Sequence, residues 1–190
     1  MLLAMSMAIY AQKEVTKFLG IPVDGTKSAM IQKLKVKGFT YNATGDYLEG
    51  EFNGSQVNVF IVTNNNKVCR IMVADKSTVD EGDIKIRFNN LCRQFERNKK
   101  YGKTPFGDHM ISDDEDISYE ITVHNKQYQA MYFQKPEAEG LDEDSDEYKE
   151  KELDCFVNKS VWFTIGELYG KYYIAMFYDN EYNRAHGEDL

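Results

Sequence analysis

The chain has no excess of positive charge to offer a polyanion. Its 31 Asp and Glu outnumber 23 Lys and Arg, giving a formal charge of −8 and an isoelectric point near 5.0, which argues against non-specific nucleic-acid binding. A long apolar run is missing as well. Residues 1–11, MLLAMSMAIYA, are uncharged and apolar, but eleven residues are too few to span a bilayer. No cysteine follows that run, so lipid attachment at a bacterial lipobox is not supported. Proline is scarce, at 3, while 13 Tyr and 11 Phe set in alternating segments favour strands.

Motifs that carry chemistry are mostly absent. Gly102-Lys103-Thr104 has the ending of a phosphate-binding loop, but Arg97 stands where the leading glycine belongs. Neither a nucleophile elbow nor an HExxH or CxxC pair occurs. Asp142, Asp144 and Asp146 alternate as in a calcium loop, yet Glu147 replaces the turn glycine and Leu153 the closing glutamate, so no metal site is expected. The three histidines, His109, His124 and His186, fall in a loop, a turn and the tail. No cofactor follows from any of these patterns. An odd count of 3 cysteines leaves two readings open, one bridge with a spare thiol or three buried thiols, since Cys69 and Cys92 sit on inward faces.

What is present is an architecture. The 190 residues amount to one domain, with 42% hydrophobic content for its core. The organising stretch is Asp80 to Lys99, where Ile84, Phe88, Leu91, Cys92 and Phe95 line one side of a helix and Lys85, Arg87, Arg93, Glu96 and Arg97 the other. Thr26 to Lys37 reads as a shorter helix with Met30, Ile31 and Leu34 inward and Gly38 as its stop. Strands are expected at Tyr47 to Phe52, Gln56 to Val62 and Lys67 to Ala74, turned by Asn53-Gly54 and by Asn64-Asn65-Asn66. Ile117 to Val123 alternates like a strand, Gln127 to Gln134 returns as another, and Ser160 to Leu168 pairs with Lys171 to Tyr178 around Tyr169-Gly170. Between them, 136–154 holds ten acidic residues in nineteen, an exposed loop or a short solvated helix.

The expectation is therefore an α+β domain over 12–190. Two helix-plus-three-strand units, about 26–74 and 80–178, form one antiparallel sheet of six to seven strands with both helices on one face. That repeat of helix and meander is a weak internal duplication. Residues 1–11 resemble the second half of a secretory signal ending at Ala11, and the missing Lys or Arg n-region places the natural start upstream. A periplasmic or secreted location follows.

Charge divides along the chain: 16 Lys and Arg against 10 Asp and Glu in 1–104, then 7 against 21, so +6 and −14 sum to −8. Either the halves attract each other or one meets a partner of opposite sign. Aromatics give the positive lead to function. Tyr128 and Tyr132 share one face of their strand, while Trp162 and Tyr173 have the parity opposite to their strands' other apolar sets. Either the sheet is covered on both sides, or these four mark a surface for a protein or another envelope component. The leading reading is a non-enzymatic exported binding domain. The alternative is a small-ligand binder or hydrolase with a pocket near the 105–116 loop, where His109 and Cys155, with Asp154, would assemble a thiol site.

The stretches Phe18 to Phe39 (FLGIPVDGTKSAMIQKLKVKGF) and Tyr172 to Leu190 (YYIAMFYDNEYNRAHGEDL) resemble the two ends of an uncharacterised family of secreted or periplasmic proteins from Gram-negative gut anaerobes. The resemblance implies a signal peptide and an envelope location, and no functional residue. In architecture alone, two helix-plus-meander units are similar to β-lactamase-inhibitor-like proteins and to small outer-membrane assembly lipoproteins. The missing lipobox cysteine departs from the second group.

Overall fold

A computed structural model describes residues 13–106, 110–137 and 140–184. The apolar stretch 1–11, His109 and His186 lie outside the described residues. The chain is an α+β fold. In order, a two-residue hairpin (β1, Lys17–Phe18; β2, Ile21–Pro22) precedes α1 (Lys27–Val36), β3 (Thr40–Asn42), β4 (Tyr47–Phe52), β5 (Ser55–Asn64) and β6 (Lys67–Asp75). Then come α2 (Glu81–Arg97), β7 (Tyr101–Lys103), α3 (Ile117–His124), β8 (Gln129–Gln134), α4 (Asp146–Asn158), β9 (Ser160–Leu168), β10 (Lys171–Asp179) and a short 3₁₀ turn, Glu181–Asn183.

The main sheet has eight antiparallel strands in the order β3-β4-β5-β6-β10-β9-β8-β7. Each half opens on a helix and contributes four strands, the second with α3 and α4 set between them, and the last strands of the halves meet at the centre, Ala74 opposite Ala175 and Val73 opposite Met176. The sequence suggests three strands per unit. The two additions, β3 and β7, are three-residue edges that keep the sheet's unpaired rims short. The hairpins form where left-handed backbone is tolerated: Asn53-Gly54 has φ of +49° and +75°, Asn65-Asn66 +47° and +62°, and Tyr169-Gly170 +53° and +73°.

Helix α2 carries the core. The Asp80 carboxylate accepts from the Asp83 N–H at 3.1 Å, capping its start, and Ile84, Phe88, Leu91, Cys92 and Phe95 are buried. Helix α1 starts on Thr26 and buries Met30 and Leu34. These side chains share one core with Leu48, Val59, Ile71, Val73, Phe163 and Met176, so both helices lie on the same face of the sheet. A bidentate pair, Arg87 Nε and Nη2 to Asp75 at 2.8 and 2.5 Å, fixes α2 to the end of β6, and Asp75 also accepts the Ile174 N–H at 3.0 Å.

One segment differs from the sequence reading, and in another the structure takes the helical of two alternatives. Ile117–His124 is a helix, not a strand. Asp116 caps it by accepting from the Tyr119 N–H at 2.8 Å, and Asn125 ends it in the left-handed conformation. Glu81 accepts from the Ile117 N–H at 2.9 Å and from the Ser118 hydroxyl at 2.6 Å, holding the new helix to the start of α2. Only Ile117 of its alternating set is fully buried, while Tyr119 and Val123 are exposed. The acidic segment, for its part, contains the 13-residue α4. Asp142 turns the chain and Ser145 caps α4 through the Tyr148 N–H at 3.2 Å, so carboxylates spaced like calcium ligands serve a turn and a helix start. Phe156 of α4 meets Phe133 edge-on at 5.5 Å, which places α4 on the face away from α1 and α2, over β8 and β9.

Candidate functional site

Strand alternation decides what the second face presents. On it lie Tyr47, Phe60, Met72, Trp162, Tyr173 and Phe177, all half-buried. Helix α4 covers the β8–β9 end, leaving these side chains over the centre of the sheet in contact with solvent. The aromatics are ordered against each other. Trp162 and Phe177, opposite in register, stack at 4.0 Å with planes 15° apart, and Tyr47 lies 5.5 Å from Phe60. The Arg70 guanidinium sits 5.6 Å from the Trp162 ring and 5.0 Å from Phe177. The Tyr173 ring lies over Gly166, where a Cβ would come within 2.3 Å of it, so the missing side chain lets the tyrosine lie flat.

The stack is anchored from beneath by Asp179. Its carboxylate takes Arg70 Nε at 2.5 Å, Arg70 Nη2 at 2.8 Å and Trp162 Nε1 at 2.9 Å, and its side chain is 1% exposed. Asn58 on the same face supplies the only buried side-chain polar atom among the described residues that lacks a hydrogen bond, its Oδ1. An unsatisfied buried acceptor costs about 1–3 kcal/mol.

Of the three tyrosines and one tryptophan expected to share a surface, Trp162 and Tyr173 lie on this face and Tyr128 and Tyr132 do not. Tyr132 is 1% exposed, stacked on Phe95 at 4.6 Å, and Tyr128 is buried with its hydroxyl donating to Glu115 at 2.6 Å. Both lie in the core on the helix-covered face, Tyr132 against α2 and Tyr128 beside Glu115. Sequence reasoning did not single out Phe60, Met72, Phe177 or the Arg70–Asp179 pair. The signal lay in Phe60, an aromatic on the outward parity between Val59 and Ile61.

Of the expected thiol site, His109 lies outside the described residues, and Asp154 and Cys155 lie in α4. Asn89 of α2 donates to the Ile111 carbonyl and accepts from its N–H, both at 2.8 Å, docking the 105–116 loop on the helix-covered face, while Cys155 sits in α4 on the other. All three cysteines are buried and none is in a disulfide. Burial pushes the Cys92 and Cys155 thiols up to about 11 and raises Cys69 as well. We expect no labelling of the native protein by a thiol reagent at pH 8 and three labels per chain in denaturant. The same shifts give a pH dependence. Unfolded thiols ionise near about 8.5, so the unfolded state loses these protons first. The stability they contribute is complete below that value and falls as pH rises toward about 11, which denaturant titrations at pH 8 and pH 10.5 would measure.

Among the described residues, no group of three or more His, Cys, Asp or Glu could hold a metal ion, and no helix is long and apolar enough to cross a membrane. Comparison of the chain with protein-family models, curated proteins and solved structures finds no match.

Proposed function

We propose that this chain is an exported, non-enzymatic binding domain that receives a protein partner on the aromatic face opposite α1 and α2. The observation that carries the reading is the half-buried group Phe60, Met72, Trp162, Tyr173 and Phe177 over the middle of the sheet, flanked by an unsatisfied acceptor on Asn58. A half-buried aromatic surface with an arginine at its edge has the composition of an interface. Export is supported by the apolar, signal-like stretch at 1–11.

Photo-crosslinking from the surface itself tests this. A photoreactive phenylalanine at Phe60 or Tyr173 should yield a discrete adduct in envelope extract. The same probe at Ile86, exposed on the outer side of α2, should yield none. Once the partner is purified, Phe60→Ala is expected to weaken binding about tenfold or more, the range of a central aromatic anchor. Adducts of equal yield from both faces, or none from Phe60 and Tyr173, would remove the reading.

A further inference from the structure

On the helix side, away from that surface, a depression of about 1120 Å³ opens between the β1–β2 turn, the end of α2 and the chain leading into α4. A second, of about 330 Å³, adjoins it, and the two share Leu19, Phe52, Asn98, Tyr101 and Tyr178 as lining. They form one trough with a gradient of polarity. Its smaller end is walled by Phe52, Phe95, Met176 and Leu19, and its larger end is ringed by Lys17, Lys99, Lys100, Lys135 and Lys159.

The lysines are not equivalent. Lys17 is neutralised by Glu137 at 2.6 Å, and Lys135 has Glu152 at 3.8 Å. Lys159 is 3% exposed at its side chain, and its ammonium donates to Glu14 at 3.0 Å and to the Lys135 carbonyl at 3.3 Å. The Cys155 thiol is its third partner, so this ammonium is fully engaged within the protein. Lys99 and Lys100, at the exposed rim, have no carboxylate within ion-pair distance among the described residues. The acidic side chains on the lining are Glu137, already taken by Lys17, Glu143, and Glu51 at the smaller end. In a chain of net charge −8, this is a local cluster of cations set at one end of an apolar trough.

We infer that the trough binds a single-chain amphiphile with an anionic head. The alkyl chain lies along Leu19, Phe52, Phe95 and Met176, and a carboxylate or phosphate head meets Lys99 and Lys100 at the rim. The size suits such a ligand, and the few charged groups at one end supply orientation. This site is separate from the partner face and does not depend on it.

Calorimetric titration of the full chain with laurate, dodecanol and inorganic phosphate, all below any micelle concentration, reads the proposal. Laurate should bind saturably at one site per chain, dodecanol at least tenfold more weakly, and phosphate without saturation. The double substitution Lys99→Glu/Lys100→Glu, on exposed positions, should weaken laurate at least tenfold and leave the melting temperature unchanged. Added salt should weaken laurate more than dodecanol. Equal affinities for laurate and dodecanol, no saturable binding, or indifference to the double substitution would overturn it. The double variant keeps its crosslinking at Phe60 if the two surfaces are independent, so failure here is distinguishable from failure of the partner reading.

Discussion

Phe163→Ala is expected to lower unfolding stability by about 3–5 kcal/mol, the range for emptying a fully buried phenylalanine position. Phe163 is 0% exposed and stands where α2 crosses β9. It meets Phe88 edge-on at 5.0 Å, and lies nearly parallel to Phe95 at 5.7 Å and Tyr132 at 6.3 Å. The residue opposite on β8 is Ala130, too small to move into the space. Collapse of α2 onto the cavity is resisted by the Arg87–Asp75 pair and by the hydrogen bonds between Asn89 and Ile111. A small domain has about 5–15 kcal/mol in all, so this one truncation consumes a large share. Urea titration with an unchanged slope measures it. Ile86→Ala, on the same helix but 63% exposed, should stay within about 0.5 kcal/mol and serves as the control. A Phe163→Ala loss below about 1 kcal/mol would mean that α2 is not the element on which the two halves pack.

That helix was legible in the sequence because its stripe repeats over several turns, which no strand can imitate. The turns at Asn53-Gly54 and Tyr169-Gly170 were legible for a different reason: the left-handed positions they need are a local property of the residues themselves. Ile117–His124 was not, since eight residues with apolar side chains at every second place satisfy a strand template as well as a helix. The choice is made by Asp116 and by the Glu81 carboxylate, 36 residues away in sequence. Likewise, Tyr101–Lys103 becomes a strand only because β8 is beside it. The candidate surface was half legible. Parity puts Trp162 and Tyr173 together, but when both faces of a strand are apolar, nothing local says which one the helices take, and Tyr128 and Tyr132 turned out to lie on the helix-covered face.

Asp179→Ala carries the second large effect, because one carboxylate ties β6 and β9 together under the open face, while its backbone carbonyl and the next residue hold the N-terminal segment. Beyond Arg70 and Trp162, the Asp179 carbonyl accepts from the Thr16 hydroxyl, and the neighbouring Asn180 donates through Nδ2 to the Val23 carbonyl at 2.7 Å. Removing the carboxylate leaves a guanidinium and an indole N–H without their acceptor. Breaking a buried ion pair from one side costs about 3–5 kcal/mol, and because Arg70 retains 24% exposure at its side chain, water meets part of that loss and the lower end is expected. Asp179→Asn keeps the shape and an oxygen for Trp162, so it should cost less than Asp179→Ala, separating the charge from the contact. Replacing both members, Arg70→Met with Asp179→Leu, should recover part of the loss, since no unpaired charge then remains under the stack. The functional consequence comes through Trp162. Its ring is held by the stack on Phe177 and by the bond to Asp179, so Asp179→Ala should alter its fluorescence and reduce crosslinking from Phe60 at temperatures where the protein is still folded. An Asp179→Ala protein as stable as the parent, with unchanged tryptophan emission, would show that Arg70 and the aromatic stack hold themselves on the sheet without the carboxylate beneath them.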